Sequence, residues 1–336
     1  MEFHYAEPQT EVERVFGGHF HINAVGEVKA GDDVRLRDLI EKAAPPPRTT
    51  VYINSTGGNV DAAIEIGRII RAAWFATTIG TVRFDHSKPA IWTAKRIFDE
   101  GVCYSAASLI FLGGRLRFVP KVFKFGVHQF AFKDQVTDVL GHSQKTSARI
   151  SAYLHEMGIP PEFAVLSSSV SGSEIRLLDE QQLLSLGLVT GGETGVMWSM
   201  EAKRGILYVK GERDSVYGHH KMMLCYAKGS GFQFWSVIEA QGREDELTKN
   251  QLVEVTLNDE SERIDISDRC IRSVSGIYVH VFSRLSVEEA RKIALSLSFG
   301  VQIRHSPTSQ VFLGVAEMRV DQEADIVKTF FDNLSG

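Results

Sequence analysis

Three short segments of this 336-residue chain pass from apolar residues into groups that can do chemistry. Val51-Tyr52-Ile53 leads into Asn54-Ser55-Thr56-Gly57-Gly58-Asn59. Gly101-Val102-Cys103-Tyr104 leads into Ser105-Ala106-Ala107-Ser108. Gly126-Val127 leads into His128-Gln129. A serine hydroxyl, an imidazole and a glycine turn are the parts that acyl transfer needs: a nucleophile, a base in reach, and backbone N–H donors for the oxyanion. Ser105 opens the predicted helix Ala106–Leu112, so the Ala106 N–H has no partner within the helix and can face an oxyanion. Gly57-Gly58 makes a second strand-to-helix turn, where glycine lets the backbone come close to a ligand. His128, at a strand end, is the candidate base. Singly, each has a plainer reading: a tight turn, an N-cap, a surface histidine. Their order on one predicted sheet joins them. Ser108, near the same helix start, is the alternative nucleophile.

The elements that must position these groups follow a strand–helix–strand rhythm. His19–Val28 reads as a strand ending at Gly26. Asp32-Asp33 lead a helix to Ala44, and Pro45-Pro46-Pro47 stops it. Val51–Ile53 is a short run apolar on both faces, as in a buried parallel strand. Asn59 caps a helix over Val60–Ala73, and Phe75–Ile79 is the next strand. Thr81–Glu100 breaks the rhythm as a surface excursion containing a short amphipathic piece, Ile91–Phe98; it reads as a decoration or as a lid over the serine turn. Arg117–Val119 and Phe123–Val127 read as strands, and Asp134–Met157 as a long helix. Pro160-Pro161 opens another helical turn, Ser167–Ser173 is a loop, and Asp179–Leu186 is a helix stopped by Gly187.

After the linker-like Gly191-Gly192 the pattern changes to strand-like runs separated by Gly, Asp, Asn and Ser turns. These are Ile206–Val209, Met222–Tyr226, Phe232–Ile238, Leu252–Leu257 and Ile277–Phe282. Only Val287–Leu297 and Asp321–Leu334 read as helices. The expected organisation is an α/β domain over residues 1–195 and a smaller, mostly antiparallel β-domain over 196–336. There is no internal repeat.

The composition is that of an ordinary globular protein, 43% hydrophobic and 24% charged. A net charge of −5 gives no footprint for nucleic acid or an anionic membrane. No apolar run reaches the roughly 20 residues that span a bilayer. Met1–Pro8 lacks a basic, then apolar, leader pattern, so the sequence as given is expected in the cytoplasm, or in the periplasm if a leader has been removed. Cys103, Cys225 and Cys270 lie too far apart for a disulfide framework or metal spacing. His19 with His21, and His219-His220, lack a third ligand at metal spacing. No metal and no cofactor is expected.

The segments carry a resemblance. "VYINSTGGNV" (51–60) is similar to the strand and glycine turn of the Clp protease proteolytic subunit and the wider ClpP/crotonase superfamily. "GVCYSAASLIFLGG" (101–114) resembles, without a gap, its Gly-x-x-x-Ser helix segment. "GVHQF" (126–130) resembles its His-Gln strand end, residues 135–138 the start of its handle helix, and "RLLDEQQLLSLGLVT" (176–190) its Gly-Leu-Val segment. The likeness covers roughly residues 25–190. "GLVTGGETGVMW" (187–198) and "YVKGERDSVYGHHK" (208–221) are similar to bacterial ClpP-like proteins, often exported, with an added C-terminal β-region. The resemblance implies a ClpP/crotonase-like ββα spiral domain and a serine peptidase that assembles as a homo-oligomer through the handle helix. Its register implies Ser105 as nucleophile, with Ser108 a packing residue, His128 as base, and the N–H groups of Gly58 and Ala106 as oxyanion hole. The family's third triad member, an aspartate, falls on Ile175, which cannot hold an imidazolium. Glu174 and Asp179, with Ser173, are the remaining candidates for that role, and Asp179 stands where the family has a serine.

Three functions follow. The first is a ClpP-like serine hydrolase on peptide or protein substrates, with the C-terminal domain as a site for substrate or a partner protein. The second is a catalytically inactive ClpP-like scaffold. The third, a crotonase-type acyl-CoA enzyme, would need a carboxylate base near the glycine turn and leaves Ser105 and His128 without roles.

Overall fold

The computed structural model describes residues 1–16, 19–87, 92–129, 139–320 and 324–335. The chain divides into two compact units, Met1–Gly192 and Glu193–Gly336. Glu193 belongs to the second because it bridges to Ser215, and the Thr194 N–H donates to the Asp214 carbonyl at 2.8 Å.

The first unit opens with β1 (Glu2–Ala6), α1 (Glu11–Phe16), β2 (His21–Val25), α2 (Asp32–Ala43), β3 (Thr50–Asn54), α3 (Val60–Ala72) and β4 (Ala76–Ile79). The four strands form one sheet in chain order. β1 runs antiparallel to β2, whereas β2, β3 and β4 are parallel neighbours, joined by α2 and α3. Val51 and Ile53 are fully buried, as their two-faced apolar pattern requires. The Asn59 side chain caps α3 by accepting the Ala62 N–H at 2.8 Å. α3 turns Ala63, Ile64, Ile66 and Ile70 into the core.

The Thr81–Glu100 excursion holds an antiparallel hairpin of β5 (Thr81–Phe84) and β6 (Arg96–Asp99). Its amphipathic stretch is therefore a strand at its far end, and residues 88–91 lie outside the described residues. Glu13, fully buried, anchors it by accepting from the Ala94 N–H at 2.8 Å and the Arg96 guanidinium at 2.6 Å.

β7 (Val102–Tyr104), α4 (Ala106–Leu112), β8 (Lys124–Val127), α5 (Val139–Glu156), α6 (Pro161–Ser168), β9 (Arg176–Leu178) and α7 (Glu180–Ser185) complete the unit. β7 pairs parallel with β8, and β8 antiparallel with β9. α4 is buried all round, and Leu109, Ile110, Phe111 and Leu112 each contribute about 1.5–3 kcal/mol by burial. The serine run expected as loop begins later, because α6 extends to Ser168. The first part of the long helix, residues 134–138, lies outside the described residues. Arg117–Val119 is not a strand: Arg117 makes a single bridge to Thr77. Its buried guanidinium instead donates to the carbonyls of Leu188, Gly114 and Gly187 at 2.7, 3.2 and 2.9 Å.

The second unit is built almost wholly from antiparallel strands. These are β10 (Met197–Lys203), β11 (Ile206–Ser215), β12 (Gly218–Ala227), β13 (Gly231–Glu239), β14 (Leu252–Leu257), β15 (Glu262–Asp265), β16 (Ile271–Ser275), β17 (Tyr278–Arg284), β18 (Ser298–Arg304) and β19 (Leu313–Arg319). They form a six-stranded sheet, β10-β11-β12-β13-β17-β16, and a four-stranded sheet, β15-β14-β18-β19. Val209, Leu224, Phe234 and Val281 of the first join Val255, Phe299, Val301 and Val315 of the second in one core. Helices α8 (Glu244–Lys249), α9 (Val287–Leu295) and α10 (Ala324–Asp332) accompany them.

Candidate active site

The glycine turn and the serine turn meet because the chain just beyond β3 bridges in parallel to β7, Ser55 to Cys103. The Ser55 N–H donates to the Val102 carbonyl at 2.7 Å, and the Tyr104 N–H to the Ser55 carbonyl at 3.0 Å. Asn54 Oδ1 accepts the Val102 N–H at 3.1 Å, and Ser55 Oγ accepts the Gly57 N–H at 3.1 Å. Sequence reasoning passed over Asn54 and Ser55. Their signal was two short polar side chains between an apolar strand and Gly-Gly, where such residues bond to nearby backbone.

Ser105 has φ 55° and ψ −126°, a backbone that an L-residue adopts at a cost of about 1–3 kcal/mol. A strained strand-to-helix turn of this kind lifts a nucleophile clear of its sheet. Ser105 caps nothing: its hydroxyl makes no capping bond to α4. Ser108 is 2% exposed, and its hydroxyl donates to the Ser105 carbonyl at 2.6 Å. The two serines are thus separated by environment, one half-buried on the turn and one enclosed in the helix. Burial pushes the neighbouring Cys103 thiol far up, so it holds its proton at neutral pH.

Gly57 and Gly58 have φ 98° and 137°. A Cβ on Gly57 would lie 2.8 Å from the Ser105 Cβ and 3.0 Å from the Ala106 nitrogen. A Cβ on Gly58 would lie 2.2 Å from the Val28 carbonyl oxygen. Only glycine fits at either position, and the turn abuts the start of α4. Val28 holds the turn through Val28 N–H to the Gly57 carbonyl at 2.8 Å and Asn59 N–H to the Val28 carbonyl at 2.9 Å. The N–H groups of Gly58 and Ala106 have no acceptor among the described residues.

His128 follows β8. The Ser105 N–H donates to the Gly126 carbonyl at 3.0 Å, which brings the serine turn to the strand end that carries the imidazole. Among the described residues, Ser105 and His128 are not hydrogen-bonded to each other, and the buried His128 Nδ1 has no partner.

The last pair of the β8–β9 ladder is Val127 with Arg176; His128 and Ile175 are the next residues beyond it. The Ile175 Cγ2 lies 2.5 Å from where a Cβ on Gly126 would be, beside Tyr104. Glu174 is exposed and its N–H donates to Ser171; its carboxylate makes no bond to His128. Ser173 is engaged with Ser171. Asp179 makes no bond to His128 among the described residues. It is the N-cap of α7, accepting the Gln182 N–H at 2.8 Å, four residues along the chain from Ile175.

Among the described residues no group of three His, Cys, Asp or Glu could hold a metal ion, and no helix is long and apolar enough to cross a membrane. His21 is buried against Tyr52 and Phe84, and burial, then the Arg96 charge, lowers its pKa. His219 Nδ1 meets Asp214 at 2.9 Å.

Compared with known proteins, the chain matches no family model and no curated protein. Among solved structures, a ClpP1 mutant from Listeria monocytogenes is similar at a TM-score of 0.36 and 18% sequence identity, over 50% of this chain and 88% of that one.

Proposed function

We propose that the first unit is a ClpP-like serine hydrolase acting on peptide bonds. The observation that carries this reading is Ser105: a non-glycine residue at φ 55° and ψ −126°, packed against a glycine turn, with two unbonded N–H groups beside it. Strain of this kind is retained where a function needs it. Ser105 Oγ attacks the carbonyl carbon while His128 accepts its proton. The N–H groups of Gly58 and Ala106 receive the oxyanion. The tetrahedral intermediate expels the amine, which takes the proton from His128, and water then releases the acyl group by the same steps. Among the described residues no carboxylate bonds His128 Nδ1, and on this reading the unit works as a Ser–His dyad, slower than a triad. On this reading the β1–β4 sheet, the β7–β9 sheet and their helices are turns of a ββα spiral. The unit assembles with copies of itself, and the second unit is an appendage for substrate or a partner protein.

Ile175 beside an unpartnered His128 favours a second reading, an inactive scaffold. Reaction with a fluorophosphonate probe, mapped by mass spectrometry, separates the two. The hydrolase requires an adduct on Ser105 that disappears in Ser105→Ala and His128→Ala. An adduct on Ser108, or none on folded protein, overturns it.

A further inference from the structure

Two glycines in succession give the turn at Gly57-Gly58 no conformation of its own, because a glycine φ swings freely and carries the next N–H with it. Whatever fixes this turn therefore aims its donor. Gly57 is held at both of its polar groups. Its N–H donates to Ser55 Oγ at 3.1 Å, and its carbonyl accepts from the Val28 N–H at 2.8 Å. The Gly57–Gly58 peptide is trans and planar, so its C=O and its N–H point in opposite directions. With the carbonyl tied to Val28, the Gly58 N–H is turned away from Val28.

Among the described residues, the bond from Ser55 is the one made to Gly57 by a side chain. Ser55 is only 2% exposed. Its backbone is bonded on both sides to β7, the strand that leads to Ser105: its N–H donates to the Val102 carbonyl at 2.7 Å, and its carbonyl accepts from the Tyr104 N–H at 3.0 Å. One residue thus joins the oxyanion turn, by its hydroxyl, to the nucleophile's strand, by its backbone. A Cβ on Gly57 would lie 2.8 Å from the Ser105 Cβ, so a swing of the turn changes the distance from donor to nucleophile. Without the hydroxyl, the buried Gly57 N–H loses its acceptor. A buried donor without a partner is costly, and glycine lets the peptide rotate in search of another.

We propose that Ser55 is a positioning residue of the oxyanion hole: its hydroxyl holds the Gly57 N–H so that the Gly58 N–H stays aimed at the carbonyl that Ser105 attacks. Ser55 touches no reacting atom itself. The proposal rests on the hydrolase reading of Ser105 and adds to it the side chain that sets the donor.

The test compares the full chain with Ser55→Ala and Ser55→Cys. The substrate is the p-nitrophenyl ester of N-acetyl-alanine, and the tetrahedral analogue is N-acetyl-alaninal. Ser105 Oγ adds to the aldehyde carbon, the C=O electron pair moves onto the oxygen in the hole, and the serine proton passes to His128. In Ser55→Ala, kcat should fall about 10–100-fold with KM unchanged, as for a donor displaced by about an ångström. Affinity for the aldehyde should fall by the same factor. Ser55→Cys, whose sulfur is a poorer acceptor, should lie between wild type and Ser55→Ala. A cooperative melt shows that each variant folds; should Ser55→Ala not fold, Ser55→Cys decides alone. A full kcat, a rise in KM alone, or unchanged affinity for the aldehyde overturns the proposal. Wild type that neither turns over the ester nor takes a fluorophosphonate on Ser105 sinks the hydrolase reading as well, whereas active wild type matched by its folded variants sinks the role of Ser55 only.

Discussion

Ile175 and His128 are the residues next beyond the last pair of the β8–β9 ladder, Val127 with Arg176. On the proposed reading, an alkyl group holds the position of the third triad member.

Ile175→Asp is expected to raise the rate of Ser105 modification. Ile175 is 47% exposed, so the change removes little packing. In triad enzymes the orienting carboxylate is worth about 10⁴-fold, and a gain of even tenfold would show that Nδ1 is the open end of the relay. The measurement is the second-order rate with a fluorophosphonate at pH 7.5. No gain in folded variant would mean that Nδ1 does not face this side chain.

Gly58→Ala forces a Cβ to within 2.2 Å of the Val28 carbonyl and displaces the Gly58 N–H. Loss of one oxyanion donor lowers acyl-transfer rates about 100–1000-fold. The same drop is expected in the rate of hydrolysis of an activated peptide ester. Circular dichroism distinguishes this from global unfolding.

Ser108→Ala removes only the 2.6 Å bond to the Ser105 carbonyl, which keeps a second donor in the Ser108 N–H at 2.9 Å. Stability should fall by about 0.5–1.5 kcal/mol in chemical denaturation. Labelling at Ser105 should persist; its disappearance would reinstate Ser108 as nucleophile.

Acid should loosen the β5–β6 hairpin before the rest of the unit. The hydrogen bond from Arg96, then those from the Gln9 and Ala94 N–H groups, lower the Glu13 pKa from 4.5 to about 2, against the opposing effect of burial. A depressed carboxylate contributes stability that is complete above its unfolded pKa and is lost as pH falls through the folded one. Between pH 4.5 and 2, hydrogen exchange in residues 81–84 and 96–99 should accelerate in the wild type. In Glu13→Gln it should already be fast at pH 6 and vary less with acid.

Much of the first unit was legible because its signals are local. Asn59 three residues before Ala62, and a seven-residue run after Ser105 that is apolar but for Ser108, fix a cap and a helix without reference to anything distant. The hairpin in Thr81–Glu100 was not, since Val82 finds Phe98 only by pairing across 16 positions. Ser298–Arg304 was passed over although Phe299, Val301 and Ile303 alternate with Ser298, Gly300 and Gln302, because the run follows the predicted helix directly with no turn residue to mark its start. The alignment of Glu174, Ile175 and Asp179 on His128 is a question of register. A one-residue change exchanges which side chain faces the imidazole, and no local propensity sets that.

The carbonyls that complete Arg117 belong to Gly187 and Leu188, some seventy residues further along the chain. During synthesis the buried guanidinium has its last acceptors only once that segment has left the ribosome. The fold around α4 is therefore completed late, and a nascent chain cut short before residue 187 would carry Ser105 on an unfinished scaffold.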